Sequence, residues 1–229
     1  MIPPDPRMTL KKLAFVHTGH VLIPVFTKFA QELLPEFEIF HMLDESLIRN
    51  TIAAQGLTKA TTRRVVRMIE SAHEGGADAV MVTCSSIGPA VVEARRLFDF
   101  PILRVDEAMA KEAVRMGTRI GVAATLRTTL EPTIALLEET AAAAGRNVEI
   151  LPALSEGAFD AVLAGDADTH DRIVSESLTR LRKQADVIVL AQASMAGVAS
   201  RWERNGGPPI LSSPELALQS AREMLGAGR

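Results

Sequence analysis

The segment ADAVMVTCSS, residues 77–86, decides the fold because a second segment, ADVIVLAQAS at residues 185–194, repeats its pattern. In each segment Ala-Asp precedes a short apolar run, and small or polar residues follow that run. Cys84 aligns with Gln192, which lies 108 residues later. A repeat of this length, if other blocks share its register, indicates a duplicated structural unit.

Two further blocks share this register. PILRVDE at residues 101–107 matches PILSSPE at 209–215, and LAFVHT at 13–18 matches IGVAAT at 120–125. Because the blocks keep the same order and nearly the same offset, the sequence predicts two similar halves.

Short β-branched runs alternate with longer stretches of helical period, which is typical of βα units around a parallel sheet. The predicted fold class is therefore α/β, with two Rossmann-like halves. Predicted strands cover Leu13–His17, Phe37–Met42, Ala79–Thr83, Ile102–Val105, Ile120–Ala124, Val148–Leu151, Val187–Ala191 and Ile210–Leu211. Predicted helices include Thr58–Ala72, Ser86–Phe98, Thr129–Ala144, His170–Gln184 and Pro214–Leu225.

Composition narrows the possible partners and the compartment. The 229 residues are 47% apolar and carry 25 basic and 28 acidic side chains, so no basic surface for nucleic acid is expected. No apolar run is long enough to cross a bilayer or to act as a secretion signal. The single cysteine cannot form an internal disulfide, which favours a cytoplasmic protein.

Parallel sheets bind ligands at the carboxyl ends of their strands, so the residues that follow each strand are the candidate site. If the halves face each other across a pseudo-dyad, Cys84 and Gln192 lie on opposite walls of one cleft. The candidate substrate-binding residues at these strand ends are His17, Thr18, Ser85, Ser86, Thr125, Arg127, Gln192 and Ser194.

Cys84 is the candidate catalytic residue. It follows a strand and precedes a predicted helix, where backbone N–H groups and the helix dipole favour an anion and lower a thiol pKa. A thiolate there could act as a base or nucleophile. The alternative is a small buried side chain with no chemical role.

The neighbouring polar residues have functional and structural interpretations. Ser85 and Ser86 could donate hydrogen bonds to a substrate carboxylate, or simply cap the following helix. Thr125 begins a second anion-holding turn, in which Arg127 could hold a carboxylate or be an ordinary exposed side chain.

His17 and Asp44 are candidates for a second acid. Structural alternatives are a histidine satisfied within the protein and an acidic helix N-cap, respectively. The H-x-x-H spacing of His17 and His20 lacks accompanying ligands, so no metal is predicted. No nucleotide-binding motif is present, and no cofactor is expected.

The duplicated halves, together with Thr83-Cys84-Ser85-Ser86, GVAATLRTT and VIVLAQASMAG, resemble the aspartate/glutamate/hydantoin racemase superfamily. The resemblance runs from Lys12 to Leu225. It implies two α/β domains with the ligand between them, and a C-terminal helix that returns to the first domain. The implied domains are residues 1–116 with 209–229, and residues 117–208.

The resemblance also implies cofactor-independent chemistry at a carbon next to a carboxylate, and a homo-oligomer as a plausible assembly. Two-base members place one cysteine from each half beside that carbon, whereas this chain has Gln192 at the second position. An amide cannot exchange protons at neutral pH. The superfamily also contains single-cysteine malonate decarboxylases, whose thiol lies in the second half, and maleate isomerases.

These observations predict a racemase or isomerase that moves a proton through Cys84 in a small carboxylic acid or amino-acid derivative. A malonate-type decarboxylase and a small-acid binding protein that has lost catalysis are the alternatives.

Overall fold

The computed structural model describes residues 11–198 and 207–226, apart from the side chain of Ser194. Within them, eight strands were found: β1 Lys11–His17, β2 Phe37–Leu43, β3 Ala79–Val82, β4 Ile102–Arg104, β5 Arg119–Ala124, β6 Glu149–Leu154, β7 Val187–Leu190 and β8 Ile210–Ser212. The α-helices are α1 Leu22–Leu33, α2 Glu45–Ala53, α3 Lys59–Glu74, α4 Pro89–Ala94, α5 Glu107–Met116, α6 Arg127–Ala143, α7 Ala158–Leu163, α8 Ala167–Leu181 and α9 Ser213–Gly226. In these ranges no helix has the length and apolar character that a membrane span requires.

The strands form two four-stranded parallel sheets with the same internal order. The first is β2-β1-β3-β4 and the second is β6-β5-β7-β8. The predicted α/β class and the two similar halves are thus confirmed.

The central strands are apolar throughout because helices cover both faces of each sheet. All four residues of β3 are buried, as are all four residues of β7. Continuous apolar runs are what a parallel sheet covered on both faces requires.

Several helices begin where the sequence offers a side-chain cap. Asp44 accepts a hydrogen bond from the backbone N–H of Ser46 at the start of α2, and Thr58 accepts one from Thr61 at the start of α3. Such caps satisfy N–H groups that have no partner within the helix.

The predicted helix Ser86–Phe98 is wrong at both ends, because only residues 89–94 are α-helical. The chain instead forms a 3₁₀ helix at Ser85–Ile87, and the short helix α4 begins only at Pro89. Pro89 occupies the first position of α4, where its missing N–H costs no helical hydrogen bond.

The halves exchange helices, which corrects the predicted domain boundaries. Helix α5, assigned to the first domain, packs with β5 and β7 of the second sheet through Met109, Ala113 and neighbouring residues. Helix α9 packs with β1 and β3 of the first sheet through Ala217, Leu218 and Ala221. The return of the C-terminal helix agrees with the resemblance, but the segment 107–116 does not belong to the first core.

Strand β8 gives a second correction. Residues 209–229 were assigned to the first domain, yet β8 pairs with β7, with Leu211 opposite Val189. As the counterpart of β4 in the repeat, β8 completes the second sheet, and the crossing to the first half occurs only after Ser212.

Candidate active site

A cleft of about 490 Å³ lies at the carboxyl ends of the strands and is lined by both halves. Thr18, Cys84, Ser85 and Ser86 line it from the first half, and Gln192 lines it from the second. Its volume is within the range of small-molecule sites. The duplication therefore brings the loops after β1, β3 and β7 to one cavity.

Cys84 and Gln192 occupy equivalent backbone positions. Cys84 (φ −127°, ψ 117°) precedes the 3₁₀ helix Ser85–Ile87, and Gln192 (φ −128°, ψ 133°) precedes the 3₁₀ helix Ala193–Met195. The amide of Gln192 thus stands where the repeat would place a second thiol.

Burial raises the pKa of the Cys84 thiol above its ordinary value. Hydrogen bonding by the Thr18 hydroxyl and by the backbone N–H groups of Ser86 and Ile87 acts in the opposite direction but does not outweigh burial. The expected lowering of this pKa is therefore wrong. The predicted long helix is absent, so the thiol lacks the helix dipole on which that expectation rested.

Neutral donors surround the thiol. Thr18, Ser85 and Ser86 are buried and line the cleft. The Ser86 hydroxyl also hydrogen bonds the Thr129 hydroxyl of α6, with an Oγ–Oγ1 distance of 2.7 Å. Since Thr129 belongs to the second half, this hydrogen bond joins the halves beside the candidate catalytic residue.

Thr125 fixes the orientation of the Gln192 amide. Its backbone N–H and its hydroxyl both donate to Gln192 Oε1, at 2.5 and 2.8 Å. Because a backbone N–H can only donate, the amide atom facing Thr125 must be the oxygen. In the described part of the structure Gln192 Nε2 has no hydrogen-bond partner, and Thr125 is not among the described lining residues.

His17 lies beneath the cleft rather than in it. Its ring is fully buried, with Nδ1 2.8 Å from the Thr83 hydroxyl and Nε2 2.9 Å from Nδ1 of His41. Burial, together with the neighbouring His41, lowers the His17 pKa to about 4. The structure does not support His17 as a substrate contact or as a second acid, because strand β1 turns its side chain into the core.

Asp44 and Arg127 also lie outside the described lining of the cleft. Asp44 caps α2 and pairs with Arg64; hydrogen bonds from Ser46 and this pairing outweigh the effect of partial burial and lower the Asp44 pKa. Arg127 is exposed in the first turn of α6, and its Nη1 lies 3.7 Å from Oε1 of Glu131. Asp44 is therefore a helix N-cap and Arg127 an exposed side chain, as their structural alternatives predicted.

Ser194 is the remaining candidate. Its backbone belongs to the 3₁₀ helix Ala193–Met195, but its side chain lies outside the described part of the structure.

Residues 18–221 match the model of the Asp/Glu/hydantoin racemase family. The chain belongs to this family. No curated protein sequence matches the chain. The family membership rests on most of the chain length and agrees with the order of the motifs.

Solved structures with the family's fold superpose on nearly the whole chain. Allantoin racemase from Klebsiella pneumoniae has 19% sequence identity, a TM-score of 0.73, and coverage of 95% of this chain and 89% of that one. Glutamate racemase from Francisella tularensis, in complex with D-glutamate, has 14% identity, a TM-score of 0.76, and coverage of 96% and 82%. Aspartate racemase from Picrophilus torridus has 12% identity, a TM-score of 0.73, and 94% coverage of each chain. At these identities the likeness shows the racemase-family fold.

The cleft of this family member contains a charged group that sequence reasoning missed. His20 Nδ1 lies 2.7 Å from Glu45 Oε1, and both residues line the rim with Arg49. The hydrogen bond from His20 is the main reason that the Glu45 pKa is lowered. The H-x-x-H spacing drew attention to His20, but nothing in the sequence pairs it with Glu45.

The two walls of the cleft differ in chemistry. Every titratable side chain among the described lining residues belongs to the first half: His20, Glu45, Arg49 and Cys84. The described lining of the second half consists of Leu126, Thr129, Phe159, Val162, Leu163, Ala191, Gln192 and Ala193. Among the described lining residues, the side chains that can transfer a proton therefore all lie on the wall of the first half. Throughout the described ranges, no cluster of three or more His, Cys, Asp or Glu could hold a metal ion.

Proposed function

We propose that this chain is an isomerase of the racemase type that moves a proton at the carbon next to the carboxylate of a small acid. Cys84 is the group that gives and takes this proton. The observation that carries the proposal is the position of Cys84 among neutral hydrogen-bond donors, in a cleft between the two halves.

The donors around Cys84 suit the charge of such a reaction. Removing a proton next to a carboxylate places further negative charge on the carboxylate oxygens. The residues Thr18, Ser85 and Ser86 are buried, and the amide of Gln192 lines the same cleft. Fixed donors of this kind stabilise developing charge. They are the proposed carboxylate-binding residues.

The raised pKa of Cys84 determines its resting state. At neutral pH the thiol of the free protein is protonated, so it is prepared to donate. To act as a base it must first lose its proton, and the donors around it would stabilise the resulting thiolate. A second proton, where the reaction needs one, comes from His20 or from water.

Decarboxylation is a second candidate function, because every titratable side chain in the described lining of the cleft belongs to the first half. Loss of CO₂ from a malonate-type acid leaves a carbanion that needs one proton on one face. Cys84, as a neutral thiol, could supply it without help from the described lining residues of the second half, none of which is titratable.

Proton NMR in D₂O separates the two reactions. The substrates are a panel of amino acids, hydantoins, hydroxy acids and malonates, each incubated with wild-type protein and with Cys84→Ala. Exchange of the α-hydrogen with loss of optical activity, absent in the variant, supports the isomerase. Release of CO₂ with uptake of one deuterium, again absent in the variant, supports the decarboxylase.

Other outcomes contradict both candidates. Turnover that survives in Cys84→Ala would overturn the role of the thiol. Binding that raises the melting temperature without any turnover across the panel would instead favour a binding protein.

A further inference from the structure

Apolar side chains that remain partly exposed form much of the described lining of the cleft. Leu22, Ile48 and Ile52 line it from the first half, and Phe159, Val162 and Leu163 line it from the second. Val21 and Leu163 rank among the exposed large apolar residues, at 43% and 70% exposure. Apolar surface gathered in a cleft marks a binding site for an apolar group.

Among the described lining residues, the neutral donors for an anionic head group are grouped around Cys84. Neutral donors on Thr18, Ser85, Ser86 and Gln192 can hold one carboxylate near Cys84. The only guanidinium in the described lining is that of Arg49, and the Glu45 carboxylate lies close enough to interact with it. A second carboxylate at the far end of the ligand would therefore meet, among the described lining residues, either apolar side chains or a rim where Glu45 offsets the charge of Arg49.

We infer that this site takes a monocarboxylate, or a comparable single anionic head group, that carries an extended apolar substituent. The inference rests on the proposed function, because it places the head group at Cys84. The substituent lies between α2 and α7, so the ligand touches both halves. Acids with a second carboxylate at the far end of the chain are excluded as good ligands.

Calorimetric titration of the full-length protein tests this inference without knowledge of the reaction. The probes are straight-chain monocarboxylates from butanoate to octanoate, together with suberate, which has the carbon count of octanoate but two carboxylates. Each added methylene that leaves water should lower the Kd about fourfold. Suberate should bind at least tenfold more weakly than octanoate. A Kd independent of chain length, or suberate binding as tightly as octanoate, would overturn the inference.

Two leucines of similar exposure provide a matched pair of variants. Leu163 lines the cleft and is 70% exposed, whereas Leu97 is 66% exposed and lies outside the described lining. Leu163→Gln should raise the Kd of octanoate at least threefold and leave that of butanoate unchanged, because only the longer chain reaches α7. Leu97→Gln should change neither. Equal effects of the two substitutions would contradict the placement of the substituent.

The same titration in Cys84→Ala separates this inference from the proposed function. The apolar residues do not depend on the thiol, so the fourfold step per methylene should persist in the variant. If no Cys84-dependent turnover is found while the step persists, the proposed reaction fails and the apolar subsite stands. If turnover is found but the Kd does not fall with chain length, the apolar subsite is refuted and the proposed reaction is retained.

Discussion

The residue at the second catalytic position distinguishes this chain from a two-thiol racemase. Gln192 has nearly the same backbone angles as Cys84, but its side chain is a hydrogen-bond donor rather than an acid. Its oxygen accepts from Thr125, so the proposed function assigns the Nε2 end to the ligand. Under that proposal, the pseudo-dyad pairs a proton carrier with a binding group.

Gln192→Glu tests this role of the amide. The new carboxylate can still accept from Thr125, but an anionic oxygen replaces the donor end. Losing a hydrogen bond to a charged ligand costs about 1.5–3 kcal/mol, so the Kd of octanoate should rise at least tenfold. Gln184→Glu is the control, since Gln184 is exposed and outside the described lining. Equal Kd values in calorimetric titrations of the two variants would refute the assignment.

His17 predicts a pH dependence of stability. The unfolded chain protonates this ring below about pH 6.5, whereas the folded protein does so only near pH 4. The unfolded state therefore binds more protons between these values, and the free energy of unfolding falls as the pH is lowered from 6.5 to 4. The loss should approach roughly 3 kcal/mol at the acid end of this range.

Urea denaturation at half-unit pH steps measures this loss, and His17→Gln should show a flatter profile over the same range. The lowered pKa of Asp44 does not interfere, because its ordinary value is 3.8 and its contribution is lost only at lower pH. An NMR titration midpoint of His17 near 6.5 in the folded protein would contradict the prediction.

At the level of elements, the backbone of the turn between β3 and α4 packs closely against a buried ion pair. Arg104 at the end of β4 donates to Asp106 from Nε and Nη2, at 3.0 and 2.9 Å, and both side chains are almost fully buried. A Cβ at Gly88 would lie 2.7 Å from Arg104 Nε. Glycine is therefore required where the 3₁₀ helix meets α4.

Gly88→Ala should destabilise the protein by about 1–3 kcal/mol, because the buried guanidinium has little freedom to move aside. Gly56→Ala is the control, since its added Cβ meets nothing within 4 Å, and a change within about 0.5 kcal/mol is expected there. Chemical denaturation of both variants measures the difference. Similar free energies of unfolding for the two would contradict this account of the turn.

Element existence was predictable from sequence, whereas the ends of elements at the site were not. The apolar runs of β3 and β7 identified the central strands, and their offset identified the repeat. The helix after Cys84 was predicted from the apolar period beyond Ser86, which does not show that the α-helix begins only at Pro89. The error carried over to the Cys84 pKa, since the expected helix dipole depended on that helix.

The side chains that line the cleft were likewise only partly predictable from the sequence. The order of strands predicts that residues after β1, β3 and β7 come together. It does not predict that His17 faces the core while His20 faces the rim, because this depends on where β1 ends: His17 is its last residue, whereas His20 lies in the turn that follows. Nor could it identify the apolar lining from α7, whose sequence is that of an ordinary short helix.

The whole molecule is held together by its exchanged helices. Helix α9 covers the first sheet although it follows the last strand of the second, and α5 does the converse. Each half is therefore completed by a helix that follows the other's last strand. The cleft lies between two units that are coupled through these crossings.

Leu218→Ala tests this coupling. Leu218 is fully buried in the cluster that contains Leu13 and Phe15 of β1, so its truncation should cost about 2–5 kcal/mol. In hydrogen exchange followed by mass spectrometry, amides of β1 and α1 should lose more protection than those of β5. Leu97→Ala, at an exposed site, should leave both regions unchanged. Greater loss of protection in β5 would contradict the packing of α9 on the first half.

Alkylation of the only cysteine tests the central claim most directly, because iodoacetamide reports on Cys84 alone. Mass spectrometry gives the rate of modification with and without saturating octanoate. The account predicts that octanoate slows alkylation, that the rate rises with pH over a range above that of an ordinary thiol, and that the alkylated protein shows no turnover. Unchanged alkylation in the presence of bound octanoate, or full turnover after complete alkylation, would contradict it.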